Sequence, residues 1–473
     1  MGAPIQTPHA SAQRCAGRKT TTSMSDILDL APLETRAADL VDAARRAGAD
    51  SADAIAVRGV SRGAEVRNGK LEEMEHAEGD DLGLRVFVGR RSAIVSTSET
   101  EPAGYAALAE RAVAMARVAP EDAHARIAEA GETGIASGDL DLLDPVRPQL
   151  DQLIETAREA EEACLAVSGV SKSGGASASS GLTGIVLVSS NGFCGGYMRS
   201  RHGVSASAIA GSGTGMQRDY DFTSALHRSD LCGAAEVGRT AGERAVARLD
   251  PRKIATQSGA VVFDPRVSGG LIGHLSSAVN GAAVARKTSM LRERMGQQLF
   301  GKGVTITDDP LRVRGLSSRP FDGDGLAARP LALVEDGVLK SWIMDLATAH
   351  ELGLASTAHA SRGVGSAPSP SSSNLTLLAG SETPEALIGS VKSGIYVTEL
   401  IGHGANTVTG DYSRGAAGFL IENGKLGAPV AEITIAGNLI DMFARLVPAN
   451  DLVFRYATNA PTVLVEDMTI AGR

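Results

Sequence analysis

Cysteine is scarce. The four residues, Cys15, Cys164, Cys194 and Cys232, are widely spaced, form no CxxC pair and all lie in the first half of the 473-residue chain. That excludes a dense disulfide framework and predicts free thiols in a reducing compartment. It also leaves the second half with no thiolate to offer a metal. Clusters of Lys and Arg are absent and the net charge is -9, so nothing here would hold nucleic-acid phosphate non-specifically. No uninterrupted apolar run approaches the roughly 18 residues that cross a bilayer, which predicts a soluble chain without membrane contact. Residues 1–23 carry no acidic residue and no apolar stretch of the kind a secretory signal needs. They are expected to be a disordered or mis-started extension, with Met24 as the natural start. Aromatic residues are few (one Trp, six Tyr, nine Phe), whereas 55 glycines predict many tight turns and hairpins rather than a helical bundle.

What is present reads as an α+β chain in two parts. Leu33, Ala37, Leu40, Val41 and Ala44 fall at helical spacing before Gly48. The alternating runs from Ala52 to Ser98, with turn signals at Asn68-Gly69 and Gly89-Arg90, predict an antiparallel meander. Helices are expected from Glu101 to about Val118, with Pro102 in the first turn, then over about 146–167 and about 231–249, with strands between the last two. Residues 24–250 thus read as an N-terminal domain of helices over an antiparallel sheet. "DPRKIATQSG" marks a boundary. Residues 251–473 read as a mostly-β C-terminal domain, with one helix over 266–285, a hairpin at Asn423-Gly424 and a mobile Ser/Gly/Pro loop at 361–374. No internal repeat is evident.

Complete catalytic constellations are missing. A zinc-peptidase helix needs two His ligands, commonly one turn apart, and a Glu base. In "LIGHLSSAVNGAAVARKTSML" (271–291), His274 has no second His and no adjacent Glu. The other histidines show no ligand spacing, and His350-Glu351 continues "LGLAS". Gly59-Val60-Ser61-Arg62-Gly63 matches the nucleophile-elbow pattern, but a strand follows it where a helix is required. "GSGTGM" (211–216) and "FDGDG" (321–325) lack the strand-to-helix setting of a nucleotide loop and read as hairpin turns. No Asp/Glu pair stands out from solvated surface charge.

Five stretches nevertheless resemble the TldD/PmbA family, its TldE (PmbA) branch in particular: "LGLRVFVGRRSAIVSTSE", "SSNGFCGGYMRSRHGVSASAIA", "GLIGHLSSAVNGAAVARKTSML", "ELIGHGANTVTGDYSRGAAGFLIENG" and "EITIAGNLIDMF". The resemblance runs in order over nearly the whole chain from Met24. It implies a cytosolic TldD/TldE metalloprotease complex that cleaves unfolded or precursor peptides, a family also described as modulating DNA gyrase. In the TldD branch an HExxxH helix supplies two zinc ligands and a base, and a later cysteine is the third ligand. Anchored on Arg286-Lys287, those positions fall here on Gly273, His274 and Ala278, and no cysteine follows Cys232. The resemblance therefore implies a vacant site: no zinc bound by this chain, and zinc held by a TldD-like partner. His274, Arg286 and Arg414 are expected to face the partner or the cavity. The plainer alternative is helix packing for the first two and a hairpin ion pair for the third. A peptide could add as a strand to a sheet edge. The rival functional reading is a free-standing homodimeric peptide-binding module; a third is an enzyme with its own unrecognised site.

Overall fold

The computed structural model describes residues 29–472; the extension expected over 1–23, with Cys15, lies outside the described residues. The first helix, α1 (Ala31–Arg46), buries the five residues read from its periodicity, and the chain turns out of it through Gly48 at φ +97°. The meander follows as β1 (Ser51–Arg67), β2 (Lys70–Val88) and β3 (Arg91–Thr97). Asn68 and Gly69 both take positive φ, as the tight hairpin turn requires. Then come α2 (Tyr105–Val118), α3 (Leu150–Leu165), β4 (Val170–Ser189), β5 (Cys194–Ala210), β6 (Gln217–Ala225) and α4 (Ala234–Ala247). The six strands form one antiparallel sheet in the order β3-β2-β1-β4-β5-β6.

Side-chain alternation explains how four helices cover one face of this sheet. Ala52, Ala54 and Ala56 of β1 pack with α1 and α2, and Ala64 and Val66 pack with α3 and α4. All five share one parity, so both helix pairs lie on the same side. The opposite parity, Ile55, meets Leu187, Phe193 and Phe321, the last of these in the second half of the chain.

The second half runs β7 (Gln257–Phe263), α5 (Pro265–Ala278), α6 (Gly281–Ala285), β8 (Ile306–Asp308), β9 (Leu331–Glu335), β10 (Val338–Leu339), α7 (Leu346–Leu352), β11 (Ala360–Ser361), β12 (Ser369–Pro370) and β13 (Leu375–Leu377). It continues through α8 (Pro384–Ser390), β14 (Ser393–Ile401), β15 (Asp411–Glu422), β16 (Lys425–Asn438), α9 (Leu439–Ala444), β17 (Leu446–Pro448), β18 (Thr458–Asn459) and β19 (Val463–Ala471). The larger sheet has the order β16-β15-β14-β7-β19-β17, and β16 also pairs with β19. Strands β7, β14, β15, β16 and β19 therefore close into a ring around a core that includes Phe263, Ile395, Tyr412 and Ile435. This closing pairing spans Thr434–Ala436, and β17 remains an end strand beside β19.

Two expectations need correction. The helix expected over 266–285 is two helices. Asn280 adopts an extended backbone, caps α6 by accepting from the Ala282 N–H, and donates from its amide to Pro370 O at 2.9 Å. Its neighbour Gly281 sits so close to Ile343 that a Cβ would lie 2.9 Å from that carbonyl oxygen. The Ser/Gly/Pro loop at 361–374 is packed rather than loose. Ser373 and Asn374 are buried and Ser373 donates to Asp308, while a Cβ on Gly83 of β2 would clash with Val364 O at 1.9 Å.

Candidate functional site

The helix α5 carries the positions that matter, and its start is well determined. Asp264 follows β7 and caps α5 by accepting from the Arg266 N–H at 2.9 Å, Pro265 occupies the first turn, and the Tyr396 hydroxyl of β14 donates to the other Asp264 oxygen at 2.8 Å. One stripe of α5, Ser268, Leu271, Ile272, Leu275 and Ala278, is buried. The flank beside it is open. Gly270 and Ser277 are exposed, and a Cβ built on Gly270 or Gly273 would touch nothing within 4 Å.

His274 stands between that flank and the core. Its ring meets the edge of Tyr412 at 5.8 Å between centroids. Tyr412 and Arg414 lie two residues apart on β15 and so project from the same face of the strand. Burial, and secondarily the Arg414 guanidinium, hold the His274 pKa below its ordinary value, so the imidazole is neutral near pH 7. Burial pushes the Tyr412 phenol up to about 12. His274 Nε2, Tyr412 Oη and Arg414 Nε are all buried without a protein hydrogen-bond partner. Three unsatisfied polar groups in one place can hold a polar ligand group such as a peptide carbonyl. They do not make a nucleophile–base pair, because the nearby Ser277 hydroxyl donates to Gly273 O within its own helix.

Of the residues named from the sequence, the structure brings His274 and Arg414 together. Arg286 is elsewhere: it ends α6 with an exposed side chain. Arg414 has no carboxylate partner among the described residues, so the hairpin ion pair is not its role. Tyr412 was missed, although its spacing from Arg414 was a readable signal.

Zinc does not fit this place. Gly273 and Ala278 offer no donor atom, and the one imidazole sits beside a cation that would repel a second cation. No group of three or more His, Cys, Asp or Glu among the described residues is arranged to hold a metal. Ser61 lies mid-strand in β1 between Ala77 and Gly181, which removes the nucleophile-elbow reading. His350 faces His124 at 3.1 Å rather than a metal shell.

The sequence reading missed a buried charge network where the two halves meet. Asp53 of β1 accepts from Arg85 Nε at 3.0 Å and from Arg362 Nη1 at 2.6 Å. Burial opposes the charge on Asp53, but the two guanidiniums prevail and hold its pKa below the usual carboxylate range. Asp324, 3.7 Å from Arg85, is pushed up to about 7 by burial and by neighbouring Asp322. "FDGDG" is thus a buried acidic hairpin, not a solvated one: Asp322 is 1 % exposed.

Comparison with known proteins agrees with this architecture. Residues 52–116, 143–249 and 256–472 match, in order, domain 1, the central domain and the C-terminal domain of the PmbA/TldA metallopeptidases. The chain is 36% identical over 409 residues to the metalloprotease PmbA of Escherichia coli O157:H7, covering 86% of this chain and 89% of that protein. It is 33% identical to the PmbA homolog of Haemophilus influenzae, covering 91% and 94%. Its structure resembles that of a protein proposed as a modulator of DNA gyrase from Bacteroides thetaiotaomicron, with TM-score 0.85 and 27% identity over 93% of this chain and 99% of that one. TldE of Thermococcus kodakarensis shares the fold at TM-score 0.82 and 19% identity, over 92% of this chain and 100% of that one. With a relative above 30% identity along most of its length and three successive family domains, the chain belongs to the PmbA/TldD metallopeptidase family.

Proposed function

We propose that this chain is the zinc-free, TldE-like subunit of a two-chain cytosolic metallopeptidase that cleaves unfolded or precursor peptides. The partner, a TldD-like relative, carries the HExxxH helix and the metal. This chain completes the peptide-binding cleft and contributes binding groups rather than the reacting ones. The observation that carries the reading is the α5 sequence: by the family resemblance Gly273, His274 and Ala278 fall where that branch has two ligands and a base, and Arg414 adds a positive charge beside His274. Neutral His274, Tyr412 and Arg414 then serve as hydrogen-bonding groups toward a peptide backbone or the partner's surface. A division near residue 250 into an α+β and a mostly-β domain is part of this proposal. Addition of a peptide strand to the larger C-terminal sheet is a further part of the proposal: β16–β19 pairing covers only Thr434–Ala436, and β17 is an end strand.

Co-expression with the HExxxH relative from the same genome tests the proposal. The two chains are expected to co-purify as a stoichiometric complex that cleaves an unstructured peptide, with no cleavage by this chain alone. Cleavage by this chain alone that persists after any co-purifying protein is removed would contradict it. A stable homodimer that ignores the relative would favour the free-standing peptide-binding reading.

A further inference from the structure

A cavity not lined by His274 lies where the uncovered face of the first sheet meets the second half of the chain. Its volume is about 310 Å³. One wall is apolar: Ile55, Val57, Ile185 and Leu187 of β1 and β4. The other carries Arg319, Arg362 and Ser372, with Arg199 at the side.

Donors are in surplus here. The Arg362 side chain is 1 % exposed; Nη1 is bound to Asp53, but Nε and Nη2 have no protein acceptor. Arg319 Nε and Nη2 are likewise buried without one. The carboxylates nearby make no hydrogen bond to these nitrogens: Asp322 lines the cavity and feels the Arg319 charge, but its bonds go to backbone N–H groups. Asp53 serves Arg85 and Arg362; Asp322 accepts the N–H groups of Asp324 and Leu326 on one oxygen and that of Ala360 on the other. A buried guanidinium N–H without an acceptor costs stability, more than a neutral group would. Two guanidiniums kept this way around one cavity are a built acceptor site, and their planar donor forks suit a carboxylate.

We infer that this cavity binds an organic carboxylate whose neighbouring chain is apolar: the carboxylate lies against Arg319 and Arg362, and the apolar chain lies against Ile55, Val57 and Leu187. Both the C-terminal residue of a peptide and a free branched-chain carboxylic acid have this chemistry. The site is separate from the vacant metal position. It adjoins another side of α5, where the Ser276 hydroxyl meets that of Ser372 at 3.3 Å. It requires neither zinc nor a partner chain.

Calorimetric titration of the full chain tests this with three probes: acetyl-Ala-Val-Leu with a free carboxylate, the same tripeptide as its C-terminal amide, and 4-methylpentanoate. The free acid is expected to bind at least about tenfold more tightly than the amide, because only the acid presents the charge the guanidiniums lack. Tighter binding of the tripeptide acid than of 4-methylpentanoate identifies a peptide terminus as the source; equal binding identifies the small acid. Arg319→Met is expected to lose about tenfold or more in acid affinity while the unliganded Tm holds or rises, since a donor without an acceptor has been removed. Arg199→Gln, at the side of the cavity, supplies the same comparison if the Arg319 variant does not fold. Equal affinity for acid and amide, no saturable acid binding into the millimolar range, or unchanged acid binding in both variants would overturn the inference.

Discussion

At the scale of single residues, the informative groups are charges and donors held in places that disfavour them. Asp324 is one. Its folded pKa of about 7 lies above the ordinary carboxylate value, mainly because of burial. Between about pH 4 and pH 7 the folded chain keeps a proton there that the unfolded chain has lost, so this group's contribution to stability falls as pH rises through that window. Asp53 has the opposite sign: its pKa is lowered, and its contribution is lost only as pH falls below the ordinary carboxylate range. Asp324→Asn is therefore expected to gain stability relative to the parent between about pH 5 and about pH 8, on the order of 1 kcal/mol or more. Urea unfolding at the two pH values reads this directly; a variant that loses ground at the higher pH would show that the Arg85–Asp324 attraction outweighs burial. None of this network was legible in the sequence. Asp53, Arg85, Asp324 and Arg362 are far apart in the chain, and each looks like ordinary surface charge until the sheet and the 361–374 loop meet. Tyr412 was within reach, because strand alternation alone places it beside Arg414.

At the scale of elements, small residues decide how closely helices approach. In α4, a Cβ on Gly238 would lie 1.8 Å from Ala160 O, and one on Gly242 would lie 2.7 Å from the Val167 side chain. Helices α3 and α4 thus touch almost backbone to backbone. Gly273 in α5 is the contrary case, with open space where a Cβ would go. Gly238→Ala is expected to destabilise by about 1–3 kcal/mol, as overpacking against a carbonyl outweighs the gain in helix propensity. Gly273→Ala is expected to stabilise by about 0.5–1 kcal/mol, because only the propensity term remains. Thermal or denaturant unfolding of the two variants should give opposite signs; the same sign in both would mean that the helix contacts are wrongly placed. The same small residues explain where sequence reading fell short. The first half of β4, "VSKSGGASASS", has weak strand propensity, yet Ala176 and Ala178 are buried beneath α3 and α4. The hydrophobic periods of α1 and the meander, together with Asn-Gly turns, were enough to place those elements. The break between α5 and α6 was not visible, because it depends on Asn280 bonding to Pro370 ninety residues away.

At the scale of the whole molecule, the two halves are joined by charge as well as by Phe321. Arg362 reaches Asp53, Arg266 reaches Asp219 at 2.9 Å, Arg248 bridges Asp219 and Glu399, and Arg314 holds Asp141 at 2.6 Å. Contacts of this number hold the first sheet against the second half and shape the cavity between them. The fold was legible because its pattern is local, and the family was legible because its motifs keep their order along the chain. The proposed function turns on which side chains are missing from a single helix, and there the sequence says more than the architecture does: the fold is that of its metallopeptidase relatives, while Gly273 and Ala278 cannot ligate. The most direct measurement is the zinc content of this chain purified alone, dialysed against a mild chelator and then returned to buffer with trace zinc. The account predicts well under one zinc per chain, with metal appearing only in the complex with an HExxxH partner. One tightly held zinc per chain purified alone would contradict it.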